Sequence, residues 1–369
     1  MSGKKIKILG VETHYQTPDG TERLSAVDWY RVVNPLQTIA KYNDDIEVDF
    51  VKKIVKESGE EAYSYMKIGQ EYDIIWTSYI DTPKAYSWIK AVCDQYNMAH
   101  VMDIDDNIFE IDVMNPASLK YQPGSEMLQN ATIIISDVEH LVTSTDHLAK
   151  VCAPYREGNK PVVLPNYINT EAYNYDESKV PDNSPDIYIG YQGSSTHYSD
   201  FMNTNIMWAL KRLIKEYDNV KFYTIGMAFD DMRRFFPEDK FVLGQGERDH
   251  RKWRKTWQEL PIDIGLAPLI DTSFNKAKSS IKYYEYALRK IPAVYSWVDT
   301  YLSVVREGET GYFAKTETEW YEKIKILIDD EVKRKAMGEA ARKDVLDNYT
   351  IDTNYKPVED FIRRIHGEK

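Results

Sequence analysis

Two lysines and a glutamate follow one another at helical spacing in the segment FNKAKSSIKYYEYALRKIP, residues 274–292. A helix that starts near Ala277 would place Lys278 and Lys282 in its first turns, with Glu285 on the same polar stripe. Cations are disfavoured there, because a helix N-terminus carries roughly half a positive charge. A bound anion would reverse that penalty. The simpler interpretation, a solvated helix face with a Lys282–Glu285 pair, stays open beside an anion site.

The neighbours of these lysines favour a phosphate ligand. The segment follows the strand-like stretch DIGLAPL and a polar loop, and α/β proteins bind phosphate where a strand, a loop and a helix N-terminus meet. Ser279 and Ser280 add hydroxyl groups beside the unpaired N–H groups of the helix start. Glu285 cannot bind phosphate, but its carboxylate can accept hydrogen bonds from ribose. The pattern therefore indicates a nucleoside diphosphate.

The elements that position these residues alternate between strand-like and helical segments. This alternation predicts an α/β protein with parallel sheets, and a ligand cleft at the carboxyl ends of the strands. A polar stretch with two prolines, residues 171–186, predicts a linker between domains at 1–170 and 187–350, while 351–369 forms a final helical piece that returns to the first domain. The strand-like segments of the first half are 5–12, 47–51, 72–78, 100–105 and 131–136, and the helical ones are 26–42, interrupted near Pro35, and 83–97.

Composition excludes several classes of function. The chain has 369 residues, enough for two domains, and a net charge of −12, so it has no overall attraction for nucleic acid. RKWRK (251–255) is the best candidate for a local basic patch, although a solvated helix face explains it better, and MRRFF (232–236) would extend such a patch into a basic rim. The two cysteines share no motif spacing and no apolar run approaches the length of a membrane span, so a cytoplasmic protein is expected, with a peripheral place at a membrane left open.

The segment DIGLAPLIDTSFNKAKSSIKYYEYALRKIPAVYS resembles the donor-binding segment of retaining GT-B glycosyltransferases of the family-4 type, in particular bacterial and phage relatives. The resemblance spans nearly the whole chain, and the combination of segments is more specific than any one of them. It implies two Rossmann-like α/β domains that face each other across a cleft, with the acceptor in the N-terminal domain and the nucleotide sugar in the C-terminal domain. The other matching segments are YRVVNPL (30–36), HVMDIDDNIFEIDVMNP (100–116), LVTSTDHL (141–148), VVLPNYIN (162–169), IGYQGSSTHYSDF (189–201) and GETGYFA with Trp320.

On the donor side, the resemblance implies that Glu285 binds the ribose hydroxyls. Many relatives carry a second glutamate, eight residues earlier, that contacts the donor sugar, but this chain has Ala277 there. Relatives also carry an arginine and a lysine after the first C-terminal strand. Here Lys278 and Lys282 are expected to neutralise the diphosphate instead. The remaining donor-binding candidates are Gly193, Ser194, Ser195, Thr196, His197, Ser279 and Ser280.

On the acceptor side, the aspartates 103, 105 and 106 would suit Mg²⁺ or Mn²⁺ by their oxygen ligands. The resemblance implies a metal-independent reaction instead, in which Asp105 and Asp106 are catalytic residues that bind sugar hydroxyls or orient the acceptor. Loop capping is the simpler role for these aspartates. The further acceptor-side candidates are Gly10, His14, Arg31 and Asp103.

The resemblance thus implies transfer of a sugar from a nucleoside diphosphate sugar, UDP- or GDP-linked, to a hydroxyl acceptor, with retention of anomeric configuration and no permanently bound cofactor. A surface glycan or a lipid-linked saccharide is the expected acceptor. Two alternatives stay open: modified bases of phage DNA as acceptor, in which case the protein works in the host cytoplasm, and a nucleotide-sugar-binding module without transfer activity, which Ala277 favours. The sequence indicates no oligomeric state.

Overall fold

A computed structural model describes residues 5–12, 14–16, 22–51, 68–179, 184–226 and 230–369 of the chain. In this part of the chain two parallel sheets of six strands each lie among helices. Read across each sheet, the strands come in the orders 46–51, 6–11, 74–78, 99–104, 140–143, 162–163 and 241–244, 220–225, 187–192, 264–267, 293–296, 312–314. In each order the chain moves outward in one direction from a central strand and then in the other. The predicted α/β architecture of two Rossmann-like halves is confirmed.

The first sheet and its helices are built from the N-terminal part of the chain. Its strands are β1 (Ile6–Val11), β4 (Ile46–Val51), β5 (Ile74–Ser78), β6 (Ala99–Ile104), β7 (His140–Thr143) and β8 (Val162–Val163), and a hairpin is formed by β2 (His14–Gln16) and β3 (Glu22–Leu24). The helices are α1 (Ala26–Asp28), α2 (Asn34–Tyr42), α3 (Pro83–Tyr96), α4 (Glu126–Asp137), α5 (Asp146–Cys152) and α6 (Thr170–Tyr173).

The second sheet follows along the chain. Its strands are β9 (Ile187–Gln192), β10 (Val220–Ile225), β11 (Phe241–Gly244), β12 (Ile264–Ala267), β13 (Ala293–Ser296) and β14 (Tyr312–Ala314). The helices are α7 (Tyr198–Asn203), α8 (Ile206–Glu216), α9 (Asp230–Arg233), α10 (His250–Gln258), α11 (Ser273–Lys276), α12 (Ile281–Leu288), α13 (Asp299–Leu302), α14 (Glu317–Asp329), α15 (Glu331–Asn348), α16 (Ile351–Asn354) and α17 (Lys356–Gly367).

Central strands are buried on both faces, as parallel sheets require. Every residue of β5 and β6 is buried, and so is every residue of β12 and β13. The helix predicted over 26–42 continues through Pro35 instead of breaking there. A π-helical turn at Trp29–Val33 precedes the proline, and Asn34 N–H donates to Trp29 C=O, five residues earlier. Proline has no N–H to donate, and this wider turn lets the helix continue past it.

The strand predicted over 131–136 is wrong, because these residues belong to α4. Ser125 caps this helix by accepting a hydrogen bond from Leu128 N–H. Within the segment Ala131, Ile134 and Ile135 are buried, whereas Ile133 is 63% exposed. This is the spacing of a helix face, which a short run of β-branched residues had masked.

The predicted start of a helix near Ala277 is also wrong. The segment forms two helices, α11 and α12, with residues 277–280 between them outside any helix. Tertiary hydrogen bonds hold this connection: Ala277 C=O accepts from Thr145 Oγ1 at 2.9 Å, Ser279 Oγ from Asn166 Nδ2 at 2.9 Å, and Ser280 Oγ donates to Thr300 C=O at 2.6 Å. Lys278 therefore lies in a loop, and only Lys282 lies in the first turn of a helix.

The last helix, α17, packs on the first sheet. Val358, Phe361, Ile362 and Ile365 share one apolar core with residues of β1 and β5. The start of the predicted linker is likewise packed, since Tyr173 in α6 is 1% exposed. The two halves are thus joined by packed structure at both crossings of the chain.

Candidate functional site

A cavity of about 750 Å³ lies between the two sheets, at the carboxyl ends of their strands. Ten of the residues singled out in the sequence line it, and they come from both halves of the chain. They are Asp105, Asp106, Gly193, Ser194, Thr196, His197, Lys278, Ser279, Lys282 and Glu285.

Glu285 is held at the inner wall of the cavity by α12. It is 4% exposed, and its carboxylate accepts hydrogen bonds from Tyr173 Oη at 2.5 Å, from Trp253 Nε1 at 3.3 Å and from Gln192 Nε2. Burial raises the pKa of Glu285, and the bonds from Tyr173 and Gln192 oppose this. The solvated-face interpretation is therefore wrong, since this stripe faces the protein interior. Arg289, on the same stripe, is also buried, with 4% of its surface exposed.

Tyr173 links Glu285 to the other half of the chain. Its hydroxyl donates to Glu285, so the neighbouring hydroxyl of Tyr30, 2.8 Å away, donates to Tyr173. Tyr30 belongs to the helical segment after the β2–β3 hairpin and also lines the cavity. Burial raises the pKa of both tyrosines well above 10, so each remains a hydrogen-bond donor.

The two lysines reach the cavity from different elements. Lys278 Nζ lies 3.4 Å from Asp106 Oδ1, across the cleft, and 4.5 Å from the ring centroid of Phe274. Lys282 Nζ lies 5.5 Å from the ring centroid of Tyr191, and among the described residues we find no ion pair for it. Burial lowers the pKa of Lys282 to about 8; Glu285 opposes this and Lys278 adds to it. An anion beside Lys282 would therefore meet an ammonium that has no ion pair among the described residues.

The loop after β9 forms the wall opposite the lysines. Ser194 Oγ and Thr196 Oγ1 lie 2.5 Å apart, and both residues line the cavity. His197 Nδ1 lies 2.9 Å from Asp200 Oδ2. At Gly193 an added Cβ would lie 2.5 Å from Tyr191 Oη, so the packing of Tyr191 requires glycine here in addition to any ligand contact.

Two further glycines let the ends of neighbouring strands meet under the cavity. Gly226 has φ +80°, and a Cβ there would lie 2.8 Å from Gly193 C=O. At Gly246 a Cβ would lie 3.2 Å from Gly226 Cα. Main-chain atoms of these glycines therefore form part of the cavity floor, together with Ile225, Leu243 and Leu269.

Ala277 does not line the cavity. It is fully buried in an apolar cluster of the N-terminal half that includes Tyr86, Met102, Ile104 and Ile108. The position where many relatives carry a glutamate is here part of a contact between the two halves.

Arg31 and Asp103 lie beneath the cleft and pair with each other. Arg31 Nε and Nη2 donate to the two carboxylate oxygens of Asp103 at 2.7 and 3.0 Å, and both side chains are at most 2% exposed. Burial raises the pKa of Asp103, and Arg31 opposes this. Arg31 Nη1 also donates to Asn166 Oδ1 at 2.6 Å, and Asn166 Nδ2 donates to Asp105 Oδ1 at 3.2 Å. Arg31 does not line the cavity and is linked to it through Asn166, which bonds to Asp105 and Ser279 in the cavity wall.

The remaining candidates lie elsewhere. Gly10 is packed under Phe50, where an added Cβ would lie 2.8 Å from the ring, and it does not line the cavity. Ser280 points its hydroxyl at Thr300 and lines a smaller cavity of about 370 Å³ on the other side of the loop. The side chains of His14 and Ser195 lie outside the described part of the structure.

Several site residues were missed from the sequence. Gln192, Trp253 and Tyr173 hold Glu285, while Asn166 and Asp200 orient the cleft loops. Asn166 and Asp200 lie in segments 162–169 and 189–201, on which the family resemblance rests, so this resemblance could have identified them. The basic stretch 251–255 is partly used internally, since Arg254 lies 3.8 Å over the ring of Trp29.

Two searches of the described residues gave negative findings. They contain no group of three or more histidine, cysteine, aspartate or glutamate side chains that could hold a metal ion. Over the same residues, none of the helices combines the length and the apolar character needed to cross a bilayer.

Comparison with known proteins supplies a family for part of the chain. Residues 208–360, which include Lys278, Lys282 and Glu285, match a family model described as "Glycosyl transferase-like". A search of curated proteins finds no significant match to the sequence. Residues 208–360 are thus similar to a glycosyltransferase-like family.

Solved structures extend the likeness to the whole chain at the level of fold. Sucrose-phosphate synthase from Thermosynechococcus elongatus is 12% identical, with a TM-score of 0.64 over 100% of both chains. Anabaena HepE in complex with UDP-glucose is 12% identical, with a TM-score of 0.66 over 97% of this chain and 100% of that one. A glycosyltransferase from Rickettsia africae is 14% identical, with a TM-score of 0.63 over 98% and 99%. The chain therefore has the fold of the GT-B glycosyltransferase structures.

Proposed function

We propose that the protein transfers a sugar from a nucleoside diphosphate sugar to a hydroxyl acceptor, and that the donor binds in the cavity between the two sheets. One observation carries this proposal. Lys278, Lys282 and Glu285 converge on that cavity, opposite the Gly193–His197 loop. Cations suit a diphosphate and a buried carboxylate suits a diol, so the site offers both parts of a nucleoside diphosphate a partner. HepE, with the same fold, was solved with UDP-glucose.

The proposed roles follow from position. Lys278 and Lys282 neutralise the diphosphate, and their charge stabilises it further as it leaves with an additional negative charge. Glu285, fixed by Tyr173 and Gln192, accepts hydrogen bonds from the ribose hydroxyls. The backbone floor at Gly226 admits the nucleotide close to the strand ends.

On the acceptor side Asp105 and Asp106 face the same cavity. We assign Asp105 to orienting a sugar or acceptor hydroxyl, since Asn166 already fixes one of its oxygens. Asp106 pairs with Lys278 across the cleft and so couples the acceptor half to the diphosphate. Arg31 and Asp103 act as the buried support of Asn166.

The proposed reaction retains the anomeric configuration and needs no metal ion. The bond from the anomeric carbon to the diphosphate breaks, the bond to the acceptor oxygen forms on the same face, and the acceptor proton passes to a phosphate oxygen of the leaving group. A surface glycan or lipid-linked saccharide is the proposed acceptor, and the site is proposed to work in the cytoplasm.

A thermal-shift screen with UDP-, GDP- and TDP-sugars tests the donor assignment. A sugar nucleotide at 100 times its dissociation constant adds about 2.7 kcal/mol to the free energy of unfolding. Release of the nucleoside diphosphate in the presence of a hydroxyl acceptor then tests transfer, and proton NMR of the product gives the anomeric configuration. No shift with any sugar nucleotide would refute the proposal. A shift without transfer to any acceptor would leave a binding module.

A further inference from the structure

The loop opposite the lysines contains a histidine–carboxylate pair whose carboxylate was not anticipated from the sequence. Asp200 in α7 is 4% exposed. Its Oδ2 lies 2.9 Å from His197 Nδ1, and its Oδ1 accepts from Asn275 Nδ2 at 2.5 Å and from Ile270 N–H at 3.1 Å. These contacts come from α11 and the loop before it as well as from the turn that precedes α7, so the position of the carboxylate is fixed from two sides.

This arrangement selects one form of the imidazole. Since Asp200 can only accept, His197 Nδ1 carries a hydrogen and donates it. The uncharged ring then has a lone pair on Nε2, and His197 lines the cavity together with Lys278 and Lys282. The uncharged form accepts a hydrogen bond at Nε2, whereas the protonated form donates one there.

The surroundings of His197 determine which form is present. Burial lowers its pKa to about 4; the hydrogen bond to Asp200 opposes this, while Lys282 and Lys278 lower it further. The segment Pro116–Leu119, which approaches this loop from the N-terminal half, has no titratable side chain. His197 is therefore uncharged near neutral pH when no anion balances the two lysines.

A bound diphosphate changes this balance. Its negative charge offsets the field of the lysines and places acceptor oxygens on the cavity side of the ring, both of which favour the protonated form. Resting on the proposed function, we propose that His197, oriented by Asp200, takes up a proton when a nucleoside diphosphate sugar binds and so adds a cation to the diphosphate site beside Lys278 and Lys282. The side chains around the diphosphate would then carry one more positive charge with donor bound than without it.

Isothermal titration calorimetry tests this proposal with UDP-glucose, GDP-mannose and TDP-glucose as titrants. Their diphosphates are esterified at both ends and do not titrate near neutral pH. In two buffers of different ionisation enthalpy at pH 6.5, an imidazole restored to its ordinary pKa of about 6.5 takes up about half a proton per ligand bound. The same uptake predicts that affinity falls at least about fourfold between pH 6 and pH 8, relative to H197N. That reference is needed because Lys282 loses its charge near pH 8 in both proteins.

Three variants separate the role of the dyad from a structural one. H197N keeps a donor for Asp200 and should abolish the proton uptake, while H366N, the same change in α17, should retain it. D200N should reduce the uptake, because a neutral partner no longer favours the imidazolium. In the wild-type protein, ¹⁵N NMR of the imidazole should show Nε2 changing from an acceptor to a protonated nitrogen on addition of the bound sugar nucleotide.

The outcomes are distinguishable. Binding of a sugar nucleotide with equal proton uptake by the wild type and H197N, or an unchanged Nε2 signal, would overturn the role of His197 and leave the proposed function standing. Binding of none of the three titrants would contradict the proposed function, and this inference with it.

Discussion

Replacing Lys282 by methionine should make the protein more stable and less active at once. Burial lowers the pKa of Lys282 from 10.5 to about 8, which means that the fold disfavours the ammonium. One pKa unit corresponds to about 1.4 kcal/mol, so the charged form costs roughly 3 kcal/mol as an upper limit. Removing the charge does not recover this cost in full, because the carboxylate of Glu285 then loses a stabilising neighbour. We expect the free energy of unfolding of K282M to be about 1–3 kcal/mol higher than that of the wild type at pH 7.

The pH dependence of this gain has a defined sign. Below pH 8 the folded and unfolded chains both carry the proton on Lys282, and the full penalty is present. Between pH 8 and 10.5 only the unfolded chain binds it, so the wild type gains stability relative to the variant as pH rises. The difference in melting temperature between K282M and the wild type should therefore be constant from pH 6 to 7.5 and shrink toward pH 10.

Activity should change in the opposite direction. A hydrogen bond between an ammonium and a phosphate oxygen contributes about 1.5–3 kcal/mol, so its loss lowers kcat/KM by roughly 10- to 150-fold. Differential scanning fluorimetry and a nucleotide-release assay measure the two effects, with K215M, an exposed lysine of α8, as the matched control. A lower melting temperature together with unchanged kcat/KM would refute the reasoning, since Lys282 would then be a structural cation.

Three further substitutions test other parts of the site. Ala277→Glu should not restore a donor contact: it buries a carboxylate in an apolar cluster and should lower the free energy of unfolding by several kcal/mol, measured by urea denaturation. Arg31→Met should cost about 3–5 kcal/mol because it leaves Asp103 buried and unpaired, and the double variant with Asp103→Leu should recover most of this in the same assay. Glu285→Gln should weaken binding of the sugar nucleotide at least tenfold by calorimetry, and an equal affinity would exclude the ribose contact.

Most of the fold followed from patterns along the chain. The central strands are continuous apolar runs between turn residues, and this pattern identified β5, β6 and β12 before their partners were known. The pattern failed at 131–136, where apolar residues on one helical face lie next to an exposed isoleucine. A run of six residues is too short to separate period 2 from period 3.6 when β-branched residues fill both.

The start of α12 could not be predicted for a different reason. Local propensity allows residues 277–280 to continue a helix, and the bonds that prevent it come from Thr145, Asn166 and Thr300, far away in the sequence. The same limit applies to the partners of Glu285. The helical spacing of the sequence placed Glu285 on a polar stripe. Its partner Tyr173 could not be predicted, because it lies in a segment whose composition is that of a linker.

Tertiary contacts between the two halves of the chain converge on the segment that carries Lys278. Ser273 bonds to Asn107 and His147, Ala277 to Thr145, and Ser279 to Asn166, whereas the neighbouring Lys278 bonds to Asp106. Any movement that separates the two sheets must break these bonds and part Lys278 from Asp106. Under the proposed function, closure of the cleft therefore fixes the position of a lysine that neutralises the diphosphate, and it excludes water from the anomeric carbon of the donor at the same time.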